Sequence, residues 1–186
     1  MAELRFRIEY YDAEHALQLR GPLTTLYLRT HLDQQHDSWY SADNFWDRLV
    51  RLYAPSRDFA LVAGWIGDTM TGYAFGSPSN KVQDVWQMVK RVLHDVPVPA
   101  ETETEPMYIF REFAVDPAHQ GRGFGRMLHD ALLQKRPERM ANLGVRTDNL
   151  SAIAAYRSWG WQTVGQGQPF PDAPVMDEMV HVLPLD

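Results

Sequence analysis

Glu112-Phe113-Ala114-Val115-Asp116-Pro117-Ala118-His119-Gln120-Gly121-Arg122-Gly123-Phe124-Gly125-Arg126 is the stretch that decides how this 186-residue chain folds. Phe113, Ala114 and Val115 close a run that starts at Met107, and Asp116-Pro117 stops it, so 107–115 reads as a strand. From Gly123 to about Gln134, Phe124, Met127, Leu128, Ala131 and Leu132 share one stripe, which predicts a helix. Between strand and helix lies a turn with glycines at 121, 123 and 125. The first amides of a helix have no intrahelical partners and stand at the positive end of its dipole, so this lead-in suits an anion. The glycines let a phosphate approach the main chain with no Cβ in the way, and Arg122 and Arg126 add cationic donors. Three alternating glycines can also serve a tight turn alone.

Two common phosphate loops do not fit. No Gly-Lys-Ser/Thr follows, so the nucleoside-triphosphate loop is absent. The dinucleotide fingerprint needs two residues between its second and third glycines, whereas Gly123 and Gly125 are separated by one.

Working outward, Phe6, Ile8 and Tyr10 alternate with Arg5, Arg7 and Glu9, predicting a first strand. A helical pattern follows from Asp12 to about Asp33, broken or restarted at Gly21-Pro22. Ser41 and Asp43 can cap a second helix whose Phe45, Trp46, Leu49 and Leu52 share a face before Pro55. Residues 59–65 and 69–75 flank a turn at Gly67-Asp68 and read as a hairpin. Val82, Val85, Trp86, Val89 and Leu93 mark an amphipathic helix, followed by a Pro- and Glu-rich linker over 97–106. Beyond the glycine turn come a strand over 141–147, a helix over 150–159, and strands at 161–165 and 175–183. The order β-α-α-β-β-α-β-α-β-α-β-β is a mixed α/β (α+β) class with hairpins and at least one β-α-β crossover.

The composition narrows the function. Net charge is −6, and no Lys/Arg run exceeds two residues, so no basic stripe for nucleic acid is present. No apolar run reaches the roughly 18 residues of a membrane span, and the N-terminus has no apolar signal core, so the expectation is a cytoplasmic protein without membrane contact. The chain has no cysteine, which excludes disulfides, thiolate metal sites and a cysteine nucleophile. His31, Asp33 and His36 do not converge at helical spacing, so no metal is expected.

Gln120, Gly123 and Gly125 match Arg/Gln-x-x-Gly-x-Gly/Ala, and here the sequence resembles the GNAT superfamily of N-acetyltransferases, whose acyl-coenzyme-A signature this is. Downstream, Asn149-Leu150-Ser151-Ala152-Ile153-Ala154-Ala155-Tyr156-Arg157-Ser158-Trp159-Gly160-Trp161 is similar to that family's second signature, an Asn, an Ala, a Tyr, then Gly-aromatic. The two motifs cover about residues 107–165, and the element order extends the likeness to the whole chain. The resemblance implies a GNAT acyl-CoA N-acyltransferase fold, one domain over 1–186 with a helical, Pro-rich insertion at about 77–106. Its central twisted mixed sheet has splayed parallel fourth and fifth strands, with helices on both faces.

The resemblance also implies a co-substrate, acetyl-CoA, and roles for named residues. The pantetheine arm would bond the main chain of Phe113, Ala114 and Val115, and the pyrophosphate would rest on the amides from Gly121 through Arg122, Gly123, Phe124 and Gly125 to Arg126, with Gln120 leading in. The Val115 amide would face the developing oxyanion. Asn149 and Tyr156, nearly two helical turns apart, would share a face, with Tyr156 protonating the departing thiolate. An ammonium must lose its proton before attack, and Glu112 is the candidate base, with a water chain as the alternative. Some relatives carry a glutamate on the next strand, where this sequence has Gly144.

The expected reaction is direct transfer from acetyl-CoA to a primary amine, preferably a small molecule. Protein N-termini or lysines are alternative acceptors, and a non-catalytic acyl-CoA-binding sensor is the competing class. Trp39, Tyr40, Phe45 and Trp46, faced by Tyr73 and Phe75, are core or pocket wall. The helix over 82–93 is expected to cover the acceptor mouth, to meet a second copy in a homodimer, or simply to pack, with Glu101, Glu103 and Glu105 near the entrance in the first case.

Overall fold

The structure, a computed structural model, describes residues 5–96, 105–168, 171 and 173–185. The strands are β1 (Phe6–Tyr11), β2 (Ala60–Ile66), β3 (Thr69–Ser79), β4 (Met107–Val115), β5 (Met140–Arg146), β6 (Gln162–Gly167) and β7 (Met176–Val182). The helices are α1 (Ala13–Ala16), α2 (Arg20–Thr30), α3 (Ala42–Arg48), α4 (Gln83–Val92), α5 (Phe124–Leu133) and α6 (Leu150–Ser158). The strands form one sheet in the order β1-β2-β3-β4-β5-β7-β6. β4 and β5 run parallel, with Tyr108 opposite Ala141 and Ile109 opposite Asn142. The β1–β2, β2–β3, β5–β7 and β7–β6 pairs are antiparallel. This is the mixed sheet and parallel crossover that the sequence predicts.

The chain divides into two compact units, residues 1–77 with 110–135, and residues 78–109 with 136–186. In the first, helices pack on both faces of the sheet, as two consecutive residues of β3 make clear. Neighbouring strand residues point to opposite faces. At Gly72 a Cβ would lie 2.6 Å from Leu128 of α5 and 3.1 Å from the Ala114 carbonyl oxygen, so only a bare backbone admits α5 there. At Tyr73 the ring meets Phe45 of α3, 6.2 Å between centroids. Tyr27, Phe45, Leu49, Leu61, Tyr73 and Phe75 form the buried heart of this unit.

Two local expectations are refined here. Gly21-Pro22 restarts the helix instead of ending it: a 3₁₀ turn over Leu17–Leu19 precedes α2, and Pro22 falls in the first turn, where an amide has no intrahelical acceptor. Leu52 does not share the buried face of Phe45 and Leu49; it is 49% exposed. Leu49–Tyr53 is a π-helical turn, whose wider i→i+5 winding carries Leu52 off the core side and turns Tyr53 toward Phe75, 5.9 Å between rings.

In the second unit, α4 lays Val82, Trp86 and Val89 against Met107, Ile109, Met140, Val164 and Val180. Trp86, 1% exposed, withdraws on the order of 200 Å² from water and keeps its indole N–H bonded to the Glu105 carbonyl oxygen at 3.1 Å. The apolar stripe of α4 is therefore consumed by packing within its own unit. The Glu105 carboxylate lies 3.6 Å from Arg139. Glu101 and Glu103, with most of the expected linker, lie outside the described residues.

Candidate active site

The turn from β4 into α5 has the shape its sequence predicts. Asp116 caps a 3₁₀ turn at Pro117–His119 by accepting from the Ala118 amide at 3.0 Å. Gly121 and Gly123 have φ of +73° and +81°, the left-handed region that a side chain resists. A Cβ on either would meet nothing within 4 Å, so the space before this backbone is open. Gly123 is the N-cap of α5, with no side-chain cap. The leading amides of a ten-residue helix thus stand behind a bare, exposed turn, an arrangement suited to a phosphate.

Side chains around the turn hold its shape. Gln120 Nε2 donates to the Val115 carbonyl oxygen at 3.1 Å, linking turn to strand end. Phe124 stacks flat on Phe6 of β1, 4.0 Å between rings with 3° between planes. Arg126 pairs with Asp130 one helical turn on, at 2.8 Å, so at least its Nε is engaged within α5, whereas Arg122 is exposed. Asp116, 1% exposed, also accepts from Arg29 Nη2 of α2 at 3.1 Å through Oδ1, and its Oδ2 is ion-paired with Arg29 Nη1 at 2.8 Å. Its amide donates to the Thr71 carbonyl oxygen at 2.9 Å.

Four residues before Asp116, the Glu112 charge acts on Tyr27, Tyr53 and Tyr73 of the same unit. Glu112 keeps part of its surface, but burial dominates and pushes its carboxyl up to about 7, against the opposing pull of the Arg48 guanidinium and the Phe113 amide. Tyr27, Tyr53 and Tyr73 are all raised, first by burial and then by the Glu112 charge. Arg48 donates to the Trp39 carbonyl oxygen (2.9 Å) and the Tyr27 hydroxyl (3.3 Å), and its guanidinium lies 4.3 Å from the Trp39 ring centroid. Arg111 lies over the Tyr53 ring at 5.4 Å. The aromatic wall continues from Phe45 through Tyr27 (4.1 Å) and His31 (4.2 Å) to Tyr40 (5.2 Å). A carboxyl that exchanges its proton near neutrality, beside fixed cations and phenols, is suited to taking a proton from an amine.

The second motif lies in the other unit. Asn149 is the N-cap of α6: its side-chain oxygen accepts from the Ala152 amide at 3.2 Å and the Ser151 hydroxyl at 3.1 Å. The helix starts where the spacing requires, but Asn149 is exposed, with that oxygen occupied in capping. Tyr156 is buried at 7% exposure, its ring edge-on to Trp159 (5.7 Å) and Trp161 (5.9 Å). Gly144 of β5 stands opposite Glu178 of β7, whose carboxylate accepts from Asn142 Nδ2 at 2.8 Å.

The structure thus brings Glu112, Phe113, Ala114, Val115 and the turn from Gln120 to Arg126 into one unit, and it holds Asn149 and Tyr156 on α6 of the other. Sequence reading missed Arg48, Tyr27, Tyr53, Arg29 and the role of Asp116. No short-range spacing signals them; Arg48 lies 64 positions from Glu112. Among the described residues, no group of three His, Asp or Glu side chains is placed to hold a metal ion. His31 lies instead in the aromatic stack.

The sheet with its parallel β4–β5 pair and the glycine turn heading α5 set the frame of the comparison with known proteins. Residues 22–161 match the Acetyltransferase (GNAT) family, and the chain belongs to that family. It is 34% identical over 134 residues, 71% of the chain, to an uncharacterized protein of Mycobacterium leprae. It is 50% identical over 58 residues, 31% of the chain, to the N-alpha-acetyltransferase RimI of Mycobacterium tuberculosis. These matches span 31% and 37% of the two relatives, about a third of each. Among solved structures, a Pyrococcus horikoshii protein superposes with a TM-score of 0.65 at 18% identity, covering 97% of this chain and 100% of that one. The PaiA N-acetyltransferase of Thermoplasma acidophilum, solved in complex with coenzyme A, has a TM-score of 0.57 at 12% identity, covering 96% and 99%. At these identities the structural likeness is one of fold.

Proposed function

We propose that this protein transfers an acetyl group from acetyl-CoA to a primary amine by direct attack, with Glu112 as the base. The observation that carries this reading is the juxtaposition, within one unit, of an open glycine-lined helix lead-in and a carboxyl whose proton affinity lies near neutrality. The coenzyme's pyrophosphate rests on the amides of Gly121 to Arg126, and its pantetheine arm follows the main chain of Phe113 to Val115. The Val115 amide receives the oxyanion of the tetrahedral intermediate. Tyr156 gives its proton to the departing thiolate, and Asn149 anchors the helix that carries it. These roles follow the family's motifs, as does the expectation of one catalytic domain over 1–186.

The acceptor we favour is the α-amino group at the end of a peptide chain. Such an amine has a pKa of about 7.7–8.0, whereas lysine side chains and simple alkylamines lie near 10. A base near 7 takes a proton from the former at little cost and from the latter at a cost of about three pKa steps. The likeness to an N-alpha-acetyltransferase points the same way. A small-molecule amine is the competing acceptor, and a coenzyme-binding sensor the competing class.

Thiol release separates them, and a chain without cysteine adds no background to that assay. With acetyl-CoA, peptides with free N-termini should release coenzyme thiol at least tenfold faster, per kcat/KM, than their N-blocked, lysine-containing counterparts or a panel of polyamines and aminoglycosides. Faster release with the small amines transfers the reading to a small-molecule acceptor. Coenzyme binding with no release for any amine leaves the sensor.

A further inference from the structure

The two edges of the sheet are not alike. β1 and β6 end the strand order, so each is paired on one side only. An unpaired edge is a template for another strand, and native edges are commonly blunted by bulges, prolines or lysines. β6 is blunted: its register against β7 slips between Thr163 and Gly165, and two of its six residues are glycine. β1 is not. Phe6-Arg7-Ile8-Glu9-Tyr10-Tyr11 pairs with β2 residue for residue, without a slip, and contains no Gly, Pro or Lys. Tyr10 is 64% exposed. Arg7 and Glu9 pair with each other at 2.8 Å yet keep 47% and 42% of their side-chain surface open.

The strand is also its own complement. About a two-fold axis through Ile8, perpendicular to the sheet, antiparallel copies set Phe6 opposite Tyr10, Arg7 opposite Glu9 and Ile8 opposite itself. Moving the axis to residue 7 or 9 sets Arg7 against Arg7 or Glu9 against Glu9, and like charges directly opposite are unfavourable. We propose that the β1 edge docks a second copy of this chain, joining two sheets through an antiparallel β1–β1 pair centred on Ile8. Main-chain hydrogen bonds between the strands supply the attraction. The two Arg7–Glu9 contacts across the axis set the register, and each Tyr10 gains Phe6 across the axis as an apolar neighbour. One six-residue edge buries little area, so the association is weak, with a Kd on the order of 10–100 μM. The apolar stripe of α4, packed within its own unit, takes no part in it. The pairing stands apart from the acetyl-transfer reading and does not depend on it.

Sedimentation equilibrium over about 5–500 μM protein tests it, and the parent chain should pass from one to two chain masses across that range. Arg7→Glu and Glu9→Arg each set like charges across the axis and should weaken the association by roughly tenfold or more. Each reversal also breaks the pair within the strand, so an equal mixture of the two variants isolates the contact between copies. In the mixture every chain meets opposite charges across the axis, and association should return to within about threefold of the parent. The register has its own readout in a chain with no other cysteine: Ile8→Cys should form a disulfide-linked dimer on mild oxidation, and Tyr10→Cys far less. A parent chain that stays monomeric throughout overturns the proposal and leaves the edge to an extended segment of another protein. A dimer indifferent to both reversals, a mixture that stays apart, or equal cross-linking at the two cysteine positions overturns it as well.

Discussion

Arg29 reaches from α2 to the buried Asp116 carboxylate at 2.8 Å, and Asp116 in turn caps the 3₁₀ turn that leads to Gly121 and Gly123. Arg29 therefore braces, through Asp116, the turn that leads into the proposed phosphate cradle. Arg29→Met leaves a nearly dry carboxylate without its cation. Because Arg29 itself is half exposed, water tempers the loss, and we expect about 1–2 kcal/mol less stability in urea unfolding. The KM for acetyl-CoA should rise severalfold, more than kcat at saturating coenzyme falls. No change in either quantity would remove the strut from the account.

Gly123→Ala separates backbone strain from ligand contact. The left-handed φ of +81° costs a side chain about 1–2 kcal/mol, to be read as a lower unfolding midpoint. The new methyl would touch no protein atom within 4 Å but would stand where a phosphate is to bind. Calorimetry should therefore show coenzyme affinity lowered by at least about tenfold in protein that is still folded.

Glu112 also links stability to pH. Its folded-state value of about 7 lies above the ordinary 4.5, so between those values the folded protein binds more protons than the unfolded chain. Stability from this group is complete below about 4.5 and declines as pH rises through 7, by on the order of 1–3 kcal/mol. Glu112→Gln should abolish that decline, so the variant gains on the parent above neutrality while its turnover falls at least about a hundredfold. A parent and variant with parallel stability curves from pH 5 to 8 would contradict the burial of this carboxyl.

Tyr156→Phe should lower kcat by about tenfold or more and leave coenzyme affinity nearly unchanged, since only the hydroxyl is removed from a ring packed on Trp159 and Trp161. Equal turnover in both proteins removes Tyr156 as the acid and makes it a core residue.

Much of the fold was legible because its signals are local. The alternation at Phe6, Ile8 and Tyr10 and the stripe from Phe124 to Leu132 each depend on residues a few positions apart. The glycine turn was legible for the same reason, whereas the left-handed φ of Gly121 and Gly123 comes from the structure. Leu52 was misread because a π turn leaves no mark in apolar spacing. The surroundings of Glu112 were hidden for a different reason: Tyr27, Arg48, Tyr53 and Tyr73 come from α2, α3, the π turn and β3, and only the folded chain gathers them. The candidate base was therefore nameable as a residue, but the raised proton affinity of its carboxyl was not.

The central claim is that main-chain amides at the head of α5 grip the coenzyme. Amide ¹H–¹⁵N shifts, followed while acetyl-CoA is titrated in, test it most directly. The account predicts saturable displacements concentrated at Gly121, Arg122, Gly123, Phe124 and Gly125, abolished at the same coenzyme concentrations in Gly123→Ala. Binding that leaves these five signals unmoved while shifting others would contradict it.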